Sequence, residues 1–318
     1  MYRAGEATMG DPSEFWLDSS KIETFHLCPQ KYAYRYVEHL VPVDRKRESA
    51  LMFGGAIHKS LESLYKGTGF EKVKCPLCQQ GCFYCKGVDI PKISAVFLAN
   101  YSDDPEDPKE IRTVDRGLEI LAYYLTKWRR EPFKVLQVEK PFEITLTSHF
   151  RDYYDEFQFT YIGRIDLVVD YEGTPMTVDH KTTTRFGMVF DAGFKLSGQF
   201  TGYMKGASKL IDQPIHSAMS NAIRITTKIG DDSFARIFTH RTPEEFDQWE
   251  RETAFVAMQI SEMTHAGFFP KAAPFACGAY NRICEYYPLC IAAAQTRETL
   301  KRSAYKIEPW EPRKDSDE

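Results

Sequence analysis

Apolar positions follow a helical rhythm in the first part of this chain and a strand rhythm from about residue 135 onward. The aromatic-rich stretch KIETFHLCPQKYAYRYVEHL predicts a helix capped by Ser19 or Ser20. Pro29 can open a helix but not continue one, so a break is expected at Cys28. In LMFGGAIHKSLESLY, Ile57, Leu61, Leu64 and Tyr65 recur at helical spacing, and His58 lies beside that stripe. Residues 111–130 predict a further helix behind an acidic, proline-containing linker at 103–110. VLQVEKPFEITL, FQFTYIGRIDLVVDY and PMTVDHKTT then alternate as strands do. A helix near 195–211, strands near 215–227 and 234–240, and a long helix opened by Thr242 and Pro243 complete the pattern. Glu244 and Glu245 in its first turn suit that helix start. The charged residues from 296 on are expected to form a mobile tail. Strands alternating with helices predict an α/β fold with a mixed central sheet flanked by helices.

Composition changes this picture little. Of 318 residues, 43% are hydrophobic and 27% charged, which is ordinary globular usage. The net charge of −4 gives no overall basic character, although a local basic groove is compatible with it. Neither a long apolar run nor a hydrophobic N-terminal segment occurs, so a cytoplasmic location is expected. In that reducing setting the eight cysteines are expected to be metal ligands or buried thiols rather than disulfides.

The candidate chemistry starts with TVDHKTT, residues 177–183. Residues two apart on a strand share a face, so Asp179 and Lys181 stand together. The preceding strand joins through DYEGTPM, where Glu172-Gly173 suits a two-residue turn. A regular hairpin about that turn sets Asp166 opposite Asp179, with Lys181 on the same face. Opposed carboxylates repel each other, and a divalent cation between them removes the conflict. The competing reading is a solvated hairpin face carrying an exposed ion pair.

These residues resemble the PD-(D/E)XK nuclease superfamily, specifically its RecB-like branch of phage exonucleases, recombination nucleases and CRISPR adaptation nucleases. GRIDLVV followed by VDHKTT is similar to its core, with Ile165 where the name-giving proline would stand. GGAIH with His58, VEKPFEI with Glu139, and QFTGY with Gln199 and Tyr203 are similar to further motifs in the family's order. The resemblance implies that Asp166, Asp179, the main-chain carbonyl of His180 and His58 hold Mg²⁺ or Mn²⁺. It implies that Lys181 serves the hydrolytic water, and that Gln199 and Tyr203 support the site or the DNA backbone. It also implies an acidic role for Glu139. DNA ends or single strands would be the substrate, gripped through phosphates by local Lys and Arg, among them Arg35, Arg164 and Lys195. No G-x-x-x-x-G-K-[ST] phosphate loop occurs, so a helicase partner is expected on a separate chain; a recombinase or CRISPR adaptation partner is a further expectation. The rival from another class is a non-catalytic DNA-binding or assembly factor, which would need neither aspartate nor Lys181.

Two cysteine groups remain. CPLCQQGCFYC sets Cys75, Cys78, Cys82 and Cys85 as two C-x2-C knuckles, a pattern that suits one Zn²⁺, with an iron–sulfur centre second. Cys28 with Cys277, Cys284 and Cys290 resembles the tetrad by which RecB-like iron–sulfur nucleases tie their chain ends with a [4Fe–4S] cluster. The C-x6-C-x5-C spacing, with Asn281 where a closer pair would need cysteine, leaves zinc or unrelated buried thiols as competitors. The expected organisation is an N-terminal helical part (1–66), a zinc-binding insertion (67–91), a nuclease core (92–270), a cluster-binding segment (271–295) that closes a helical cap, and a tail (296–318).

Overall fold

The computed structural model describes residues 15–44, 49–67, 90–103, 110–150 and 154–311. β1 (Trp16–Leu17) leads into α1 (Ser19–Leu27). Its cap is Asp18, not Ser19 or Ser20: the Asp18 carboxylate accepts the Lys21 N–H at 2.8 Å. An anionic oxygen on an extended residue is well suited to the unpaired N–H groups of a helix start. Extended Cys28 ends α1, and Pro29 opens α2 (Pro29–Tyr32), which runs into a π-helical turn at Ala33–Val37. β2 (Leu40–Pro42), α3 (Ser49–Gly67), α4 (Ile90–Asn100) and α5 (Val114–Lys127) follow. Next come β3 (Phe133–Phe150), β4 (Tyr154–Tyr171), β5 (Thr174–Thr183), α6 (Met188–Lys195), α7 (Gly198–Ile211), β6 (Ser217–Arg224) and β7 (Phe234–His240). α8 (Pro243–Ala266), α9 (Tyr287–Ile291), α10 (Ala294–Ala304) and β8 (Tyr305–Ile307) close the chain.

These elements gather into two compact units, one from residues 47–142 and 164–243, the other from 1–46, 143–163 and 244–318. This division differs from the linear one expected from sequence. His58 and Cys28, both assigned to an N-terminal part, fall in different units.

In the first unit β4 and β5 form an antiparallel hairpin about Glu172 and Gly173, both at positive φ (51° and 91°). β5 and β6 are parallel, joined through α6 and α7, and β6 and β7 are antiparallel. The sheet is therefore mixed. One face packs Leu167, Val169, Met176, Val178, Met219 and Ile223 against Phe53, Ile57 and Leu61 of α3 and against α4 and α5. The predicted stripe of Ile57, Leu61, Leu64 and Tyr65 is buried there. Each such side chain contributes about 1.5–3 kcal/mol through burial. α7 covers the other face with Phe200, Met204 and Ala207. Two glycines permit close packing. A Cβ on Gly54 of α3 would stand 2.8 Å from Thr182 Oγ1, and one on Gly206 of α7 would stand 2.3 Å from the Phe142 ring.

In the second unit β1 pairs in parallel with β4 through Trp16 and Thr160, and Trp249 of α8 packs edge-on against Tyr161 at 5.1 Å. Residues 296–311, expected as part of a tail, instead form most of α10 and all of β8, which pairs antiparallel with β2. Their charge misleads because the anchors are few and aromatic. Tyr305 buries its ring beside Tyr286, and the Trp310 indole donates to Asp18 at 2.8 Å. Among the described residues no helix is long and apolar enough to cross a membrane.

Candidate active site

The hairpin register runs through Leu167 opposite Val178, and Asp166 and Asp179 are the next residues on each strand. Both residues are nearly fully buried, at 8% and 3% exposure, which an ordinary solvated hairpin face would not produce. The His180 N–H donates to Asp166 Oδ2 at 2.8 Å, so one carboxylate is held by the strand that carries the other. Burial, then the Asp179 charge, pushes the Asp166 carboxyl up to about 6, against the opposing pull of His58, the His180 N–H and Lys181.

Lys181 answers that acidity. Its Nζ lies 2.9 Å from Asp179 Oδ2 and donates to Gln199 Oε1, also at 2.9 Å. The Gln199 amide in turn donates to the Tyr203 hydroxyl at 2.9 Å. Gln199 and Tyr203, one turn apart on α7, thus form a chain ending on the lysine, with the Tyr203 ring edge-on to Phe142 at 5.9 Å. His58, on α3, sets Nδ1 3.6 Å from Asp166 Oδ2. Glu139 on β3 has a left-handed φ of 49°. Its carboxyl is pushed up to about 8 by burial and then by the nearby Asp166 and Glu62 charges.

Sequence reasoning missed Glu62, one helical turn beyond His58 and bonded to Lys66 at 2.6 Å. The i, i+4 spacing from His58 was the available signal. It also missed the partners of the buried His180 ring, namely Asn221 at 2.8 Å and the stacked Tyr65. Arg35 lies in the other unit, where it donates to the Glu308 carbonyl at 2.9 Å.

Residues 19–291 match the PD-(D/E)XK nuclease superfamily. The chain belongs to that superfamily. No match was found among curated proteins. Among solved structures, similarity extends to a Eubacterium rectale protein provisionally named an exonuclease, at 10% identity, covering 90% of this chain and 96% of that one, with a TM-score of 0.48. A second similar structure is SSO0001, at 12% identity and TM-score 0.31, covering 86% and 93%. The family assignment rests on the sequence match.

The donor set of this PD-(D/E)XK chain fits a hard divalent cation. Asp179 Oδ2 is buried and makes no well-aligned hydrogen bond, even with the ammonium at 2.9 Å. Among the described residues no three His, Cys, Asp or Glu side chains form a ready metal cage. Two carboxylates with a peptide carbonyl suit Mg²⁺ or Mn²⁺, which keep several waters, better than a closed site.

The second cysteine group lies in the other unit. Cys28, Cys277, Cys284 and Cys290 are half-buried free thiols. The Cys284 N–H donates to the Cys277 carbonyl at 2.7 Å. Burial pushes the Cys290 thiol up, Lys271 pulls it down, and Cys28, Cys284 and Cys277 push it up further. Among the described residues these thiols do not stand close enough together to form a metal-holding group. Cys284 and Cys290 pack on the Tyr34, Leu40, Tyr286, Leu289 and Tyr305 cluster. Cys75, Cys78, Cys82 and Cys85 lie outside the described residues.

Proposed function

We propose that the chain is a RecB-like DNA nuclease that hydrolyses phosphodiester bonds with Mg²⁺ or Mn²⁺, acting as an exonuclease on ends or single strands. The observation that carries this reading is Lys181, whose ammonium touches both the buried Asp179 carboxylate and the Gln199 amide. Asp166, Asp179, the His180 carbonyl and His58 would hold the cation, which when bound supplies Lewis-acid stabilisation of phosphoryl oxygen charge. Lys181 orients the attacking water and stabilises the charge that grows on the phosphate. Water adds to phosphorus and the bond to the leaving sugar oxygen breaks, giving a phosphate monoester and a hydroxyl. Gln199 and Tyr203 hold the lysine in place, and a bound cation would draw the raised Glu139 carboxyl toward its charged form beside Asp166.

In the same reading Cys28, Cys277, Cys284 and Cys290 hold a structural [4Fe–4S] cluster, with zinc as the competing ion, and Cys75, Cys78, Cys82 and Cys85 hold one Zn²⁺. Iron and zinc analysis of anaerobically purified protein separates these assignments. The nuclease reading is tested with an end-labelled DNA panel, Mn²⁺ and an EDTA control. Cleavage that EDTA abolishes and that Asp179→Ala eliminates is expected. A folded wild-type protein that binds DNA without cutting it would instead leave a binding factor.

A further inference from the structure

His180 lies in a row across the sheet: it pairs with Asn221 of β6, which pairs with Arg236 of β7. Register partners point to the same face, so these polar side chains enter the apolar core formed with α3 and α5. Each is tied to a neighbour by a hydrogen bond, while His180 Nε2 and Arg236 Nε and Nη1 are buried without one. Arg236 Nη2 contacts both oxygens of Glu131, at 2.7 and 2.6 Å. The Tyr65 hydroxyl donates to Glu131 at 2.7 Å and lies 2.6 Å from the Tyr124 hydroxyl. Asn221 Nδ2 donates to the Tyr124 hydroxyl at 2.9 Å and reaches His180 Nδ1 at 2.8 Å.

Proton counting fixes the direction of this chain. Burial pushes the Glu131 carboxyl up, while Arg236 and Tyr65 pull it back. A guanidinium that keeps its proton, touching both oxygens, leaves the carboxylate an acceptor only. The Tyr65 proton therefore goes to Glu131, and Tyr124 must give its own proton to Tyr65. Tyr124 can then only accept from Asn221, so the amide nitrogen faces it. The second Asn221 N–H is thereby aimed at His180 Nδ1. A flipped amide would put an oxygen against a tyrosine that has no proton left. An imidazole whose Nδ1 accepts from the Asn221 amide carries no proton there, so it is neutral with its proton on Nε2.

We propose that Asn221 and Tyr124 are positioning residues, which hold His180 as the Nε2–H tautomer and so fix the peptide whose N–H grips Asp166 and whose carbonyl faces the cation. The second half of this proposal rests on the metal-dependent nuclease reading; the tautomer does not. The relay explains why a histidine stands between Asp179 and Lys181. Its ring is an anchor in the core, and its backbone serves the site.

The full chain, labelled with ¹⁵N-histidine and free of metal, reports the tautomer through two-bond ¹H–¹⁵N correlations of the His180 ring. Mn²⁺ affinity is read separately by electron paramagnetic resonance without DNA. The wild type is expected to show the Nε2–H pattern. Asn221→Leu, or Tyr124→Phe should the first variant fail to fold, is expected to lose that pattern and weaken Mn²⁺ binding about tenfold, the scale of outer-shell partners of metal ligands. A wild-type His180 protonated on Nδ1 overturns the relay, and unchanged Mn²⁺ affinity in a folded variant overturns the positioning role. Wild-type protein that binds no Mn²⁺ overturns the metal-dependent reading and the second half of the proposal, while the ring signals still decide the first.

Discussion

Asp166 and Asp179 stand on neighbouring strands joined by a two-residue turn, whereas Cys28 and Cys290 fall in one unit although about 260 residues of chain separate them. The carboxylate site costs little chain entropy to assemble, because the hairpin that fixes one aspartate also fixes the other. What it must overcome is electrostatic, namely two buried acids relieved by one lysine. The cysteine corner has the reverse problem. Its thiols carry little charge to relieve, but holding two distant stretches of chain in one unit is costly. The protein meets that cost with β2–β8 pairing, the Tyr286 hydroxyl on the Leu40 carbonyl at 2.6 Å, and the Tyr305 hydroxyl on the Glu285 carbonyl at 2.7 Å. One region is folded easily and charged awkwardly; the other is charged mildly and folded with effort. Substitutions in the first should therefore change chemistry, and those in the second should change stability.

The sharpest break in that contrast comes from Lys181→Ala. On the role proposed for Lys181, loss of the ammonium would remove charge stabilisation at the phosphate, so the cleavage rate is expected to fall by about 10²–10³. Thermal melting should fall as well, because the buried Asp179 carboxylate loses its counter-charge, while DNA affinity should stay near wild type. Wild-type turnover in the purified variant would sink the role given to Lys181.

Cys28→Ser is expected to spare the chemistry. If the four thiols hold a cluster, iron content and visible colour disappear. A loss of about 2 kcal/mol would lower the melting temperature by roughly 4–8 °C in a unit of this size. Cleavage per folded molecule should persist at temperatures below the new transition. A variant with unchanged metal content and melting would mean the thiols are ordinary buried cysteines.

His58→Ala probes the boundary between the two behaviours. His58 faces Asp166 at 3.6 Å from a half-exposed position on α3, so little packing is lost. The half-saturating Mn²⁺ concentration should rise about tenfold, the scale of a weak or outer ligand, with maximal rate largely kept. An unchanged metal titration would return His58 to an ordinary helix histidine.

How far the sequence reveals each region follows from the same contrast. The hairpin was legible because Glu172-Gly173 sets the register and the side-chain period is two, so Asp166, Asp179 and Lys181 could be placed without a structure. Gln199 and Tyr203 were legible as a helix pair, but their connection to Lys181 was not, since nothing local says which strand the α7 face meets. The relay behind His180 draws on α3, α5, the segment before β3, β6 and β7, and such a set has no local period to betray it. The β8 strand was hidden for a related reason: its few aromatic anchors sit within a charged background.

The smallest expected effect is that of Tyr203→Phe. The ring stays packed against Phe142, so the core is preserved and stability should move little. What disappears is the oxygen that accepts the Gln199 amide at 2.9 Å. Gln199 then keeps its bond to Lys181 but loses the fixed end that holds its amide plane. A single such bond is worth about 0.5–1.5 kcal/mol net, which corresponds to a rate loss of roughly two- to twelvefold. Because the chain ends on Lys181 and not on substrate, the loss should fall on kcat with KM for DNA unmoved. A raised KM with normal kcat would instead place the hydroxyl against the DNA backbone. Tyr203 would then be a binding residue, and the Lys181–Gln199–Tyr203 chain would end at Gln199.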